Sequence, residues 1–195
     1  MAIEHKVELK KGLKNVHFDR TKICLVDPKG NLFYRGYDIH DLAEYSTFEE
    51  TTYLLLHGSL PTSSQLEGLE LQLKAGRRLP DAVFQIIELT KGAHPMEVLR
   101  TAVSAMSAFD DNASDISANS VQAKGLRLMA VVPTIVATHD RLRNGEKVIE
   151  PRNDLSLAAN FLYMLTGEEP IPEHAKLIDK DLILHAEHGV NASSF

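Results

Sequence analysis

A chain of 195 residues, 44% hydrophobic, 25% charged and 6% aromatic, has roughly the length of one domain and an ordinary globular composition, which excludes fibrous, collagen-like and disordered classes. Its 21 Lys and Arg against 27 Asp and Glu leave a net charge of −6, and no basic run is longer than Lys10-Lys11 or Arg77-Arg78, so nucleic acid is not an expected partner. The lone Cys24 cannot form an internal disulfide, the start Met1-Ala2-Ile3-Glu4-His5-Lys6 lacks a secretory apolar core, and the apolar run 155–165 is far short of the ~20 residues of a membrane span. The expected setting is the cytoplasm, with no membrane partner.

Thr21-Lys22-Ile23-Cys24-Leu25-Val26 is β-branched and apolar, Asp27-Pro28-Lys29-Gly30 supplies turn residues, and Asn31-Leu32-Phe33-Tyr34-Arg35 resumes the strand vocabulary. This pattern predicts a β-hairpin over about 21–35. Gly36-Tyr37-Asp38 ends the strand, and every later periodic segment has helical spacing. The expected fold class is therefore mainly α, a single unit with a short N-terminal β-hairpin and helices from about 38 to 190. Thr47 and Glu50 form a capping-box pattern, and Phe48, Thr52, Leu55 and Leu56 share one face up to Gly58. Pro61-Thr62 opens a helix toward Arg78 and Pro80-Asp81 opens one toward Lys91. Pro95 opens another, in which Met96, Leu99, Val103 and Met106 recur at steps of three and four. Asp110-Asp111-Asn112-Ala113-Ser114-Asp115 is polar and aperiodic, a surface loop. A long helix is expected over about 120–143, kinked at Pro133, which lacks a backbone donor and crowds the carbonyl four residues back. Asn144-Gly145 ends it. The segment 155–166 is apolar nearly all round, hence a central helix. A last helix opens at Pro172 and carries Ala175, Ile178, Leu182 and His185 as a stripe. No internal repeat or low-complexity tract interrupts the chain.

At the end of that helix, His185 and His188 are expected on one side, facing the interior, with Glu187 turned away from both. Residue chemistry leaves three uses open: satisfied core histidines, an anion-binding or acid/base pair, and a metal site. The metal reading is the weakest, because two ligands share the face with no Cys or third ligand nearby. Elsewhere the plainer reading is favoured. His94 before Pro95 reads as a helix-entry turn, Arg77-Arg78 as the solvated last turn of a helix stabilised by its negative end, Arg35 as a partner of Asp38 holding a turn, and Asn191 as a cap.

Ordered motifs go beyond spacing: Tyr34-Arg35-Gly36-Tyr37-Asp38-Ile39, Phe48-Glu49-Glu50, Leu54-Leu55-Leu56-His57-Gly58-Ser59-Leu60-Pro61, His94-Pro95-Met96-Glu97-Val98-Leu99-Arg100, Pro133-Thr134-Ile135-Val136-Ala137, Asn160-Phe161-Leu162-Tyr163-Met164-Leu165-Thr166-Gly167, and His185-Ala186-Glu187-His188-Gly189-Val190-Asn191-Ala192-Ser193. Through them the chain resembles the citrate synthase family. The resemblance implies the N-terminal part of that fold's large helical domain, with the small domain absent. It implies a homodimeric acyltransferase of the tricarboxylic acid cycle that condenses acetyl-CoA with oxaloacetate to citrate and CoA. Acetyl-CoA enters as a substrate, and neither a separate cofactor nor a metal is implied.

In the family an Asp takes a methyl proton from acetyl-CoA, one His stabilises the enol, and another polarises the ketone of oxaloacetate. The resemblance places all three beyond Phe195, together with the Arg residues that hold the oxaloacetate carboxylates and the CoA-binding loop. It therefore implies no catalytic residue within these 195, and no activity for them alone. It carries over His188 as the residue that hydrogen-bonds oxaloacetate, with His185 and Asn191 supporting it. Two alternatives accompany this reading. One is a 2-methylcitrate synthase using propionyl-CoA, since Glu187 stands where Asp is common. The other is a non-catalytic truncated paralogue that dimerises with a complete chain.

Overall fold

The structure, a computed structural model, describes residues 20–189. Its N-terminal hairpin pairs β1 (Cys24–Val26) with β2 (Leu32–Tyr34), antiparallel, with Cys24 opposite Tyr34. Asp27 closes the turn, its Oδ1 accepting from the amides of Lys29 and Asn31 at 2.8 and 2.9 Å. The strand does not finish at Gly36. Tyr37–Asp38 forms a third strand, β3, antiparallel to β2. Its link to β2 is the two-residue turn Arg35-Gly36, with φ of 51° and 92°. Positive φ at both positions suits the right-handed twist of a tight hairpin. The strained Arg35 is anchored by Nε and Nη2, which donate to Leu55 O at 3.2 and 2.8 Å. Asp38, the expected partner of Arg35, instead caps the next helix by accepting from His40 N at 2.8 Å.

That helix, α1 (Ile39–Tyr45), leads to α2 (Phe48–His57), which has the complete Thr47/Glu50 capping box and ends at left-handed Gly58. Its buried apolar face is Phe48 and Leu54, with Thr51 and Thr52 beside them. Leu56, expected inside, is 42% exposed. Helix α3 (Ser63–Ala75) stops short of Arg78. Gly76 follows it, and a Cβ there would sit 3.0 Å from Ala130 Cβ, so the chain turns where it abuts the long helix. Next come α4 (Asp81–Thr90) and α5 (Pro95–Met106). In α5 the buried residues are Val98, Ala102 and Met106, with Leu99 and Val103 at the flank, while Met96 is 63% exposed. The apolar stripe is rotated by about one residue from the expected one because α4 and α6 both press on that side.

The spine is α6 (Ala118–Arg143), helical throughout with Pro133 inside it. One core cluster joins α4, α5 and Val131 and Ile135 of α6, and another packs Leu69 and Leu73 of α3 on Leu126 and Ala130 of α6. The remaining helices are α7 (Leu157–Thr166) and α8 (Pro172–Leu184). Their Leu157 and Ile183 join Tyr34, Ile39, Leu42, Phe48 and Leu54 in a third cluster, so the N-terminal hairpin packs against the end of the last helix.

Candidate functional site

Helix α8 ends at Leu184, not near 190, and His185 is its C-cap. The helical spacing that put His185 and His188 on one inward side therefore does not hold. Both are exposed. His185 Nδ1 donates to Asp181 O at 2.8 Å, an interaction that satisfies one of the free carbonyls at the helix end. Among the described residues the buried histidine is His139, whose Nε2 donates to Lys91 O at 3.2 Å. Asn191 lies outside the described residues.

The turn that carries His188 is fixed by residues from the hairpin. Tyr34, fully buried, donates its hydroxyl to Leu184 O at 3.3 Å and accepts from Glu187 N at 3.2 Å. Glu187, expected to point away, folds back instead. Its Oε1 accepts from Gly189 N at 2.6 Å and from the Cys24 thiol at 3.5 Å. Burial, reinforced by that carboxylate, pushes the Cys24 thiol above its usual range and keeps it protonated as a donor. His188 is thus held between two anchored backbone amides, with its imidazole toward solvent.

Behind the turn, carboxylates from distant segments satisfy the open amides of helix N-termini. Glu49 of α2 is buried and accepts from Leu157 N at 2.9 Å, at the start of α7. Asp179 of α8 accepts from Phe48 N at 3.2 Å, at the start of α2. Burial pushes the Asp179 carboxyl up to about 6, and the negative charges of Glu49 and Glu50 add to the rise against the Phe48 amide. Because its folded value lies above the unfolded one near 3.8, Asp179 favours folding in acid, and that contribution is lost as pH climbs from about 4 to 6. Asp179→Asn keeps an acceptor for Phe48 N. It is expected to raise the thermal midpoint at pH 7, by at most about 3 kcal/mol in stability, and to leave it unchanged near pH 4. Thermal unfolding at the two pH values checks this, and a lower midpoint at pH 7 would contradict it.

Arg77 is the largest departure from the sequence reading. It is 2% exposed, not solvated. Its Nη1 donates to Arg152 O and to Leu155 O, and its own carbonyl accepts from Thr134 Oγ1 at 2.8 Å. Burial lowers its pKa, while Glu49, Glu70 and Asp154 oppose the shift. Arg78 is the exposed member of the pair, 3.7 Å from Glu150. His94 is a helix-entry residue, its Nδ1 accepting from Met96 N at 3.2 Å. A cleft of about 640 Å³ lies between the start of α4 and the 148–151 segment, but no residue of the His188 turn lines it. Among the described residues no three His, Cys, Asp or Glu side chains gather to hold a metal ion, and no helix is long and apolar enough to cross a membrane.

The family profile "Citrate synthase, C-terminal domain" matches residues 12–195, and the chain belongs to the citrate synthase family. It is 45% identical to the citrate synthase of Deinococcus radiodurans over 187 residues, covering 95% of this chain and 50% of that protein. It is 41% identical to the 2-methylcitrate synthase of Mycobacterium tuberculosis over 196 aligned positions, covering 100% of this chain and 49% of that one. The fold superposes with a TM-score of 0.88 at 27% identity on citrate synthase from Thermoplasma acidophilum, solved with carboxymethyl coenzyme A and oxaloacetate, covering 96% of this chain and 50% of that one. The chain spans about half the length of these relatives.

Proposed function

We propose that these residues form the oxaloacetate-binding side of a citrate synthase, an enzyme that condenses acetyl-CoA with oxaloacetate to citrate and CoA. The observation that carries this reading is the His188 turn: an exposed imidazole on a backbone anchored on both sides, within a chain of this family. An imidazole donor carried on an anchored backbone suits a dianionic keto acid, because a hydrogen bond to a charged acceptor is stronger than a neutral one and a fixed backbone lowers the ordering cost of binding. His188 hydrogen-bonds the substrate in this reading, and His185 and Asn191 support it. Proton abstraction from the thioester falls to groups outside these residues. The enzyme works as a cytoplasmic homodimer, with acyl-CoA as substrate and no metal.

Release of free thiol from acetyl-CoA in the presence of oxaloacetate tests this. The 195 residues alone are expected to show no turnover above the enzyme-free rate. The same residues completed with the second half that their relatives carry are expected to be active. Turnover by neither would contradict the proposal and favour a non-catalytic paralogue.

A second reading, 2-methylcitrate synthase, is supported by the Mycobacterium tuberculosis relative, which aligns with the whole chain. One methylene is worth only about 1–3 kcal/mol in a fitted pocket. Propionyl-CoA is therefore expected to be a poorer but detectable substrate of the completed enzyme. Competition of the two thioesters at equal concentration decides between the readings, and a higher kcat/KM for propionyl-CoA would select 2-methylcitrate.

A further inference from the structure

We infer that Tyr34 and Glu187 are positioning residues for His188, acting as a two-point clasp between the N-terminal hairpin and the turn that follows α8. The inference rests on the reading that His188 binds oxaloacetate. A chain leaving a helix has unsatisfied carbonyls on one side and new amides on the other, and these must find partners for the turn to hold one path. The buried Tyr34 hydroxyl meets both requirements at once, donating to Leu184 O and accepting from Glu187 N at 3.3 and 3.2 Å. Glu187 then spans His188, its Oε1 taking the Gly189 amide at 2.6 Å, and the Cys24 thiol of β1 donates to the same oxygen at 3.5 Å. The amides before and after His188 are thus each bound to a side chain. Gly189 has φ of 78°, a conformation that the Glu187 carboxylate helps to hold.

The tyrosine ring belongs to the core cluster with Leu54, Leu157 and Ile183, so Tyr34→Phe removes the hydroxyl and keeps the packing. In the completed enzyme, Tyr34→Phe and Glu187→Ala are each expected to raise KM for oxaloacetate about three- to tenfold, the range of one or two lost hydrogen bonds. KM for acetyl-CoA and kcat stay within about twofold, since the reacting groups of the thioester side are elsewhere. Glu187→Gln, whose amide oxygen still accepts from Gly189 N and Cys24, recovers most of the loss. Amide hydrogen exchange reads the clasp without substrate: Tyr34→Phe speeds exchange at Glu187, and Glu187→Ala speeds it at Gly189. His188→Ala is run in parallel. If it raises KM for oxaloacetate while Tyr34→Phe and Glu187→Ala do not, or if these two raise both KM values equally, the clasp is overturned and the role of His188 stands. If His188→Ala leaves oxaloacetate use unchanged, the functional reading falls and the inference falls with it.

Discussion

Arg77→Met is expected to destabilise the fold by about 3–5 kcal/mol, the cost of losing two hydrogen bonds from a charged donor and leaving their carbonyls unpaired in the interior. The methionine fills much of the space but donates nothing, so the carbonyls of Arg152 and Leu155 lose the Nη1 donor. These carbonyls lie on the connection into α7, and Glu49 caps that helix from inside the protein. Glu49 is 5% exposed and loses its compensating positive charge with the substitution. The double variant Arg77→Met with Glu49→Gln is therefore expected to be less destabilised than the sum of the two singles, because the second change removes the stranded carboxylate. Urea unfolding of the four proteins measures this. A loss below about 1 kcal/mol for Arg77→Met would show that the guanidinium is dispensable.

In the completed enzyme, His188→Ala is expected to lower kcat/KM for oxaloacetate by about ten- to a hundredfold, the equivalent of roughly 1.5–3 kcal/mol for a hydrogen bond to a charged group. The effect is specific to one substrate, so KM for acetyl-CoA stays near its original value. His94→Ala serves as the control: that exposed side chain accepts from Met96 N at the start of α5 and touches nothing of the His188 turn. Its loss is expected to cost about 1 kcal/mol of stability at most and no change in substrate use.

Local signals were legible in the residues themselves. The Thr47/Glu50 capping box, the left-handed Gly58 and the Pro95 helix start all satisfy backbone groups within a turn of their own position, which is why spacing alone reveals them. The third strand escaped because its turn is built from Arg35-Gly36 rather than Asn-Gly, and Arg35 tolerates positive φ through an anchor 20 positions away on Leu55. Glu49, Arg77 and Asp179 escaped for a related reason. Each satisfies or opposes groups that only the tertiary fold brings near: Glu49 reaches Leu157 across 108 positions and Asp179 reaches Phe48 across 131. An Arg next to another Arg after a helix looks solvated from sequence, yet only one of the pair is.

The candidate site was proposed from family resemblance, and periodicity misplaced its histidines. Extending the α8 helix past its true end at Leu184 put both histidines on an interior face, whereas the chain leaves the helix at His185 and both are exposed. A tyrosine hydroxyl 153 positions earlier helps to hold the turn there, a partner that no window along the sequence contains.

The most direct measurement is the structure of the completed enzyme with oxaloacetate bound. An imidazole nitrogen of His188 is expected within hydrogen-bond distance, about 2.7–3.2 Å, of an oxaloacetate oxygen, with Tyr34 still bridging Leu184 and Glu187. Oxaloacetate held elsewhere, with His188 in solvent, would contradict it.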